Sequence, residues 1–196
     1  MSKFIITISG DPGSGKSTIA KELAKKFKAK RIYVGQIRRK IAKDKNMTLQ
    51  ELNQYAEKHP ETDVDVDKKV AAQARQAAKK QNVIVEGRTQ FYFLPESLKI
   101  YIKVSLDEAA KRIWKDLQKQ ASKKERNEGD INSLAQLKKS IKQRIASDKK
   151  RYKKYYNIDH TQKSHYDLII DTTKLNKKQA ITQSLKKVEV LTKKIK

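Results

Sequence analysis

Residues Gly10-Asp11-Pro12-Gly13-Ser14-Gly15-Lys16-Ser17 meet every fixed position of the pattern G-x-x-x-x-G-K-[ST], and no other feature of the chain constrains its fold as tightly. The pattern works only between a buried strand and a helix. Phe4-Ile5-Ile6-Thr7-Ile8-Ser9 before it is apolar and β-branched, and the residues from Thr18 to Ala24 after it have helical spacing. Gly10, Gly13 and Gly15 let the backbone aim consecutive N–H groups into a concave nest, reinforced by the positive end of the following helix. Such a nest takes the phosphates of a nucleoside triphosphate. Lys16 is placed to bridge the β- and γ-phosphates, and the Ser17 hydroxyl to ligate Mg²⁺.

The rest of the chain alternates in the same way. Strands are expected at 31–34, 82–86, 98–104 and 166–171. Helices are expected from Gly35 to Ile41, from a Thr48/Glu51 capping box, over Asp63 to Lys80, over Leu106 to Gln118, in a basic stretch ending near Tyr156, and from Lys177 to Lys194. A charged, irregular stretch from Ser122 to Asp130 reads as an excursion. Strands alternating with helices predict right-handed crossovers and a parallel sheet covered on both faces, with ligands at the carboxyl ends of the strands. At 196 residues, without a Pro/Gly/Ser-rich linker, one domain is expected.

Composition removes several chemistries. There is no cysteine, and the three histidines are scattered, so thiol catalysis and thiolate metal sites are excluded. No apolar run is long enough to span a bilayer, and the N-terminus does not read as a secretory signal, so a cytoplasmic protein with no membrane partner is expected. Lys+Arg is 47 against 22 Asp+Glu, a formal +25. Most of that charge is lysine spread along helical segments, which reads as solvated faces and a positive field for phosphorylated substrates, with nucleic acid as the second-ranked partner.

The chain has neither Asn-Lys-x-Asp nor Asp-x-x-Gly of a switch GTPase. Its candidate strand ends in Glu86-Gly87-Arg88 rather than the Asp-Glu pair of a motor ATPase, which leaves a phosphotransferase. Transfer between two anions needs cations at fixed places, and arginine grips phosphate bidentately. In a lysine-rich chain, Arg39, Arg88, Arg112, Arg144 and Arg151 therefore carry information. Arg144, Asp148 and Arg151 share one helix face, where spacing alone allows an exposed ion-pair ladder equally well.

The chain resembles the cytidylate kinase family of nucleoside monophosphate kinases, above all its short archaeal-type members. The matching stretches, in family order, are the phosphate loop, Val34-Gly35-Gln36-Ile37-Arg38-Arg39, Tyr55 to Asp63, Val85-Glu86-Gly87-Arg88, Arg151 to Asp159, and Tyr166 to Thr173. The resemblance implies Mg²⁺-dependent transfer of the ATP γ-phosphate to CMP or dCMP; separately, a monomer is expected. It implies that residues Gly10 to Thr18 bind ATP, with Ser17 on the metal, Arg112 near the adenine, and Thr172 and Thr173 bordering it. Gly35, Arg39, Asp63, Arg88, Thr89 and Asp148 would hold the acceptor, and Lys16, Arg88, Arg144 and Arg151 would be catalytic.

The fold implied is a P-loop NTPase three-layer α/β/α with a parallel five-stranded sheet. Its core would be 1–34, 81–115 and 160–196, with a helical acceptor region at 35–80 and a helical lid at 116–156 that closes by hinge motion. Thr89 stands where many bacterial members carry an aspartate that reads cytosine, Asp116 where a basic residue is common, and 116–140 looks longer than in the short relatives. The alternatives are a related phosphotransferase acting on AMP, UMP or a small alcohol, and a basic nucleic-acid-binding NTPase. Among other residues, Trp114 and Phe91-Tyr92-Phe93 are candidates for stacking on a base or for packing. Asp63 and Asp67 would face the acceptor or, as acids on a polar helix usually do, water.

Overall fold

The computed structural model describes residues 3–119 and 131–194, and β1 (Ile5–Gly10) is the strand around which they are arranged. All six of its residues are buried, as a strand with neighbours on both edges and helices on both faces requires. β2 (Lys30–Tyr33), β3 (Val83–Glu86), β4 (Leu98–Lys103) and β5 (Leu168–Asp171) complete a five-stranded sheet of order β2-β3-β1-β4-β5. Every pairing is parallel. The loops leaving β1, β3 and β4 therefore open side by side on one edge of the sheet, where an α/β fold binds its ligands.

Among the described residues the helices are α1 (Lys16–Lys26), α2 (Val34–Asp44), α3 (Leu49–Ala56), α4 (Glu61–Ala78), the single turn α5 (Gln90–Phe93), α6 (Leu106–Leu117), α7 (Leu134–Tyr156) and α8 (Lys177–Lys194). Side chains alternate across each strand, so the sheet has two cores. Ile6, Ile8, Ile84 and Ile100 pack under Ile19 and Leu23 of α1 and Val188 of α8. Ile5, Val83 and Val85 pack under Val70, Ala71 and Ala74 of α4. The Thr48/Glu51 capping box at the start of α3 is formed in full. No helix among the described residues is long and apolar enough to cross a membrane.

The elements differ from expectation mainly at their ends. β2 stops at Tyr33, because its register opposite β3 runs out at Glu86, and α2 begins at Val34 rather than Gly35. α4 begins directly after Pro60, at Glu61. The expected fifth strand starts two residues late, at Leu168, after a 3₁₀ turn at Lys163–His165. α5 was not expected at all, since one turn is too short for periodicity to register. The irregular stretch 122–130 lies outside the described residues, as does part of the expected lid.

The turn out of β1 fixes the phosphate loop against β4. Gly10 has φ 149° and Gly13 φ 74°, and a Cβ on Gly10 would lie 2.3 Å from the backbone oxygen of Ile102. A backbone oxygen inside a sheet cannot step aside. Gly10→Ala is therefore expected to lower stability by at least ~2 kcal/mol in urea unfolding, from strained φ and overpacking combined; unchanged stability would show that the loop is not held this closely.

Candidate active site

The phosphate loop is fastened before any ligand arrives. The Asp11 carboxylate accepts from the Tyr101 hydroxyl at 2.5 Å and from the Val104 N–H at 3.0 Å, tying the loop to the end of β4. Gly15, at φ 83°, delivers the chain into α1 at Lys16, so the loop ends on the positive pole of a helix. The Ser17 hydroxyl donates to Glu86, which terminates β3, is fully buried, and pairs with Arg31. Lys16 is half-buried, with its Nζ 3.4 Å from the Asp11 carbonyl oxygen. Desolvation, with Arg88 next in importance, pulls its pKa down to about 7. A polyphosphate beside it would favour the ammonium form.

A cavity of about 540 Å³ extends from this loop across the carboxyl edge of the sheet. Residues Pro12 to Thr18 form one part of its lining, and Gly35, Arg39, Arg88 and Thr89 another. Arg144 of α7 reaches the same cavity. Arg39 is steadied by donating to the Tyr33 hydroxyl at 2.8 Å, its guanidinium 5.5 Å from that ring's centroid. Glu108 and Arg112 of α6 line it too. Arg112 is fixed by Glu108 at 2.8 Å and by the backbone oxygens of Thr172 and Leu175.

Behind Arg88 lies a buried ion network. Arg88 Nε lies 3.1 Å from Asp148 Oδ2. Asp148 also accepts from Arg151, Arg151 donates to Asp63, and Asp63 accepts from Arg38. Asn53 Oδ1 receives a second N–H of Arg38 at 3.0 Å. Burial alone would raise the Asp148 pKa, but Arg88, Arg151 and Arg144 outweigh it and hold the carboxyl well below the usual carboxylate range. Arg151 is completely buried.

Most residues expected at the site meet at this cavity, and six do not line it. Gly10 and Asp11 serve the loop from beneath. Thr172 is buried, its hydroxyl 3.0 Å from the Ser14 carbonyl oxygen, and Thr173 caps β5 by bonding Asp171. Asp148 and Arg151, expected to reach the substrate from the lid helix, stand behind Arg88. Their ladder, which spacing allowed to be solvent-exposed, is interior because α7 lies on α3 and α4. Asp63 and Asp67 are 3% and 4% exposed rather than facing water, since each meets donors from other elements.

Phe91 packs against Tyr152, Tyr156 and Ile158, and Trp114 joins the α6–α7 contact, so both are packing residues. Sequence reasoning missed Glu86, Arg38 and Tyr152. The available signal for Glu86 was an acid at the carboxyl end of a wholly buried strand; for Arg38 and Tyr152, whose partners are far along the chain, there was none.

A family model described as an AAA domain matches residues 6–133. The chain is 42% identical over 176 residues to a cytidylate kinase of Methanocaldococcus jannaschii, covering 87% of this chain and 89% of that one. It is 37% identical to a cytidylate kinase of Archaeoglobus fulgidus, covering 94% of each. Among solved structures it resembles a shikimate kinase from Bacteroides thetaiotaomicron, with TM-score 0.58, 16% identity and coverage of 97% and 98%. A thymidylate kinase from Candida albicans gives TM-score 0.58 at 14% identity, covering 97% of this chain and 93% of that one. The two structural likenesses bear on fold alone.

Two outcomes follow from the electrostatics. At pH 8 Lys16 is mostly neutral, and phosphate charge favours its ammonium form, so ATP binding should take up a proton that it does not take up at pH 6. Calorimetry in two buffers of different ionisation enthalpy measures this, and Lys16→Met should abolish it. Arg151→Met leaves Asp63 and Asp148 short of a buried counter-charge and should destabilise the protein by about 3–5 kcal/mol; a loss under ~1 kcal/mol in denaturant unfolding would contradict the network.

Proposed function

We propose, from the premise that the chain belongs to the cytidylate kinase family and is an ATP-dependent nucleoside monophosphate kinase, that its acceptor is CMP or dCMP and its product the diphosphate. One observation supports this best: a single cavity is lined both by the phosphate loop and by Arg39 and Arg88. Two anionic substrates then meet phosphate to phosphate.

In this reading the loop N–H groups and Lys16 hold the β- and γ-phosphates of ATP. Arg39 and Arg88 grip the acceptor phosphate, aiming one of its oxygens at the γ-phosphorus for in-line attack. The acceptor oxygen–phosphorus bond forms as the bond to the ADP oxygen breaks, so no protein nucleophile is needed. Arg144 adds positive charge where the transferring oxygens gather it. Arg112, beside Glu108 and Thr172, borders the adenine. Arg151 and Asp148 act on Arg88 from behind, positioning rather than touching substrate.

A hard cation fits the loop. Ser17 Oγ and the Glu86 carboxylate stand together at the strand end, an all-oxygen pair suited to Mg²⁺ that keeps water and phosphate as its other ligands. Among the described residues no cluster of three or more His, Asp or Glu side chains forms a cage for a metal. Ser17 would hold Mg²⁺ directly, with Glu86 accepting from its waters. Bound there, the ion neutralises charge on the β- and γ-phosphates.

A panel of CMP, dCMP, UMP, AMP and a small alcohol, with coupled detection of ADP, tests the assignment. CMP or dCMP should exceed every other acceptor by at least ~10-fold in kcat/KM, and Lys16→Ala or Arg88→Ala should lower that value by at least ~10²-fold in folded protein. Preference for another acceptor would overturn it. Hydrolysis stimulated by nucleic acid, without a phosphorylated nucleotide, would favour a different class of enzyme.

A further inference from the structure

Asp63, Asp67, Glu86 and Glu108 all line the cavity, and Asp67 is held differently from the other three. Asp63 is bonded by Arg38 and Arg151, Glu86 by Arg31, and Glu108 by Arg112. Asp67 receives only neutral donors. Its Oδ2 accepts from the Thr89 hydroxyl at 2.7 Å and the Tyr156 hydroxyl at 2.9 Å, and its Oδ1 accepts from Gln90 Nε2 at 2.8 Å. A carboxylate oxygen accepts two hydrogen bonds, so Oδ2 is filled and Oδ1 keeps one open position.

The second observation lies beside it. Because Gln90 spends its amide N–H on Asp67, its Oε1 is an acceptor, and that buried atom meets no donor among the described residues. Gln90 itself is fully buried. Buried acceptors without donors are uncommon and call for a partner. Two acceptor positions, one on Asp67 Oδ1 and one on Gln90 Oε1, are therefore left without a donor among the described residues.

Three elements fix this arrangement: α4 carries Asp67, the turn after β3 carries Thr89 and Gln90, and α7 carries Tyr156. Burial lifts the Asp67 pKa to about 6, with the Thr89 and Tyr156 hydrogen bonds opposing and Asp63 adding to the rise. At physiological pH the group is still mainly an anion, which accepts and does not donate. Thr89 adjoins Arg88, so Asp67 stands next to the part of the cavity where the acceptor phosphate is gripped.

We propose that Asp67 is the residue that reads the acceptor base, taking a hydrogen bond from an exocyclic amino group such as that on C4 of cytosine, with Gln90, Thr89 and Tyr156 positioning it. This rests on the assignment of the cavity's arginine-lined part to the acceptor. Uracil places a carbonyl oxygen where cytosine has the amino group, and an acceptor facing an acceptor disfavours it. The recognising carboxylate thus comes from helix α4, bonded to Thr89 beside the strand end that carries Arg88.

The test is a cycle between protein and substrate. Wild type and Asp67→Asn are each assayed with CMP, with UMP and with the 4-deamino analogue of CMP, which lacks only the amino group. In wild type, removing the amino group should lower kcat/KM by ~10- to 10²-fold. In Asp67→Asn that difference should shrink at least ~5-fold, and the CMP/UMP ratio should fall with it, while the KM for ATP is unchanged. A merely structural role for Asp67 would lower activity on all three acceptors alike.

Should Asp67→Asn not fold, Asp67→Ser takes its place in the same cycle, with CMP and UMP binding measured by calorimetry. A variant that folds and keeps the wild-type discrimination overturns the assignment of Asp67. Wild-type enzyme that phosphorylates CMP, UMP and AMP equally overturns the cytidylate reading and this one together.

Discussion

Asp148 makes a cluster of desolvated cations tolerable in the empty protein. Arg88 lies against one of its oxygens and Arg151 donates to the other, while Arg144 also lowers its pKa. Without a buried anion, that many positive charges beside Lys16 would repel one another and lose their hydration with nothing in return. Lys16 shows the residual strain directly, being driven toward neutrality by burial and by Arg88. Phosphate groups placed beside these cations would complete the compensation with little reorganisation.

The same network connects the parts of the molecule. α7 is held in two ways along its length. Its first half packs Leu137 and Ile141 against Ala110 and Ile113 of α6. Its second half is tied to α3 and α4: Ser147 and Lys150 bond Glu57, the Tyr155 hydroxyl donates to the Ala56 carbonyl, and Arg151 reaches Asp63. Arg144 stands between these two attachments. It lines the cavity from there.

The parts of this structure that were readable in the chain are those whose cause is local. A glycine pattern demands positive φ within a few residues, β-branched runs make buried strands, and Thr48 and Glu51 cap a helix start from three residues apart. The burial of Asp67 was not readable, because its donors lie 22, 23 and 89 residues away. Likewise, the interior position of Arg151 depends on Asp63, 88 residues earlier. Helical spacing showed that Arg144, Asp148 and Arg151 share a face, but whether that face meets solvent or another helix is decided by tertiary packing. Glu86 was passed over for a related reason: its value comes from the Ser17 hydroxyl that folding brings to it.

The affinity of a bisubstrate ligand, adenosine and cytidine joined through five phosphates, measures most directly whether the loop and the arginine-lined part form one continuous site. Such a ligand occupies both parts at once, so it should bind at least ~10²-fold more tightly than ATP or CMP alone. Arg88→Ala should remove most of that advantage. Binding no tighter than that of ATP would mean that the two parts do not act as one site, and would contradict phosphoryl transfer between them.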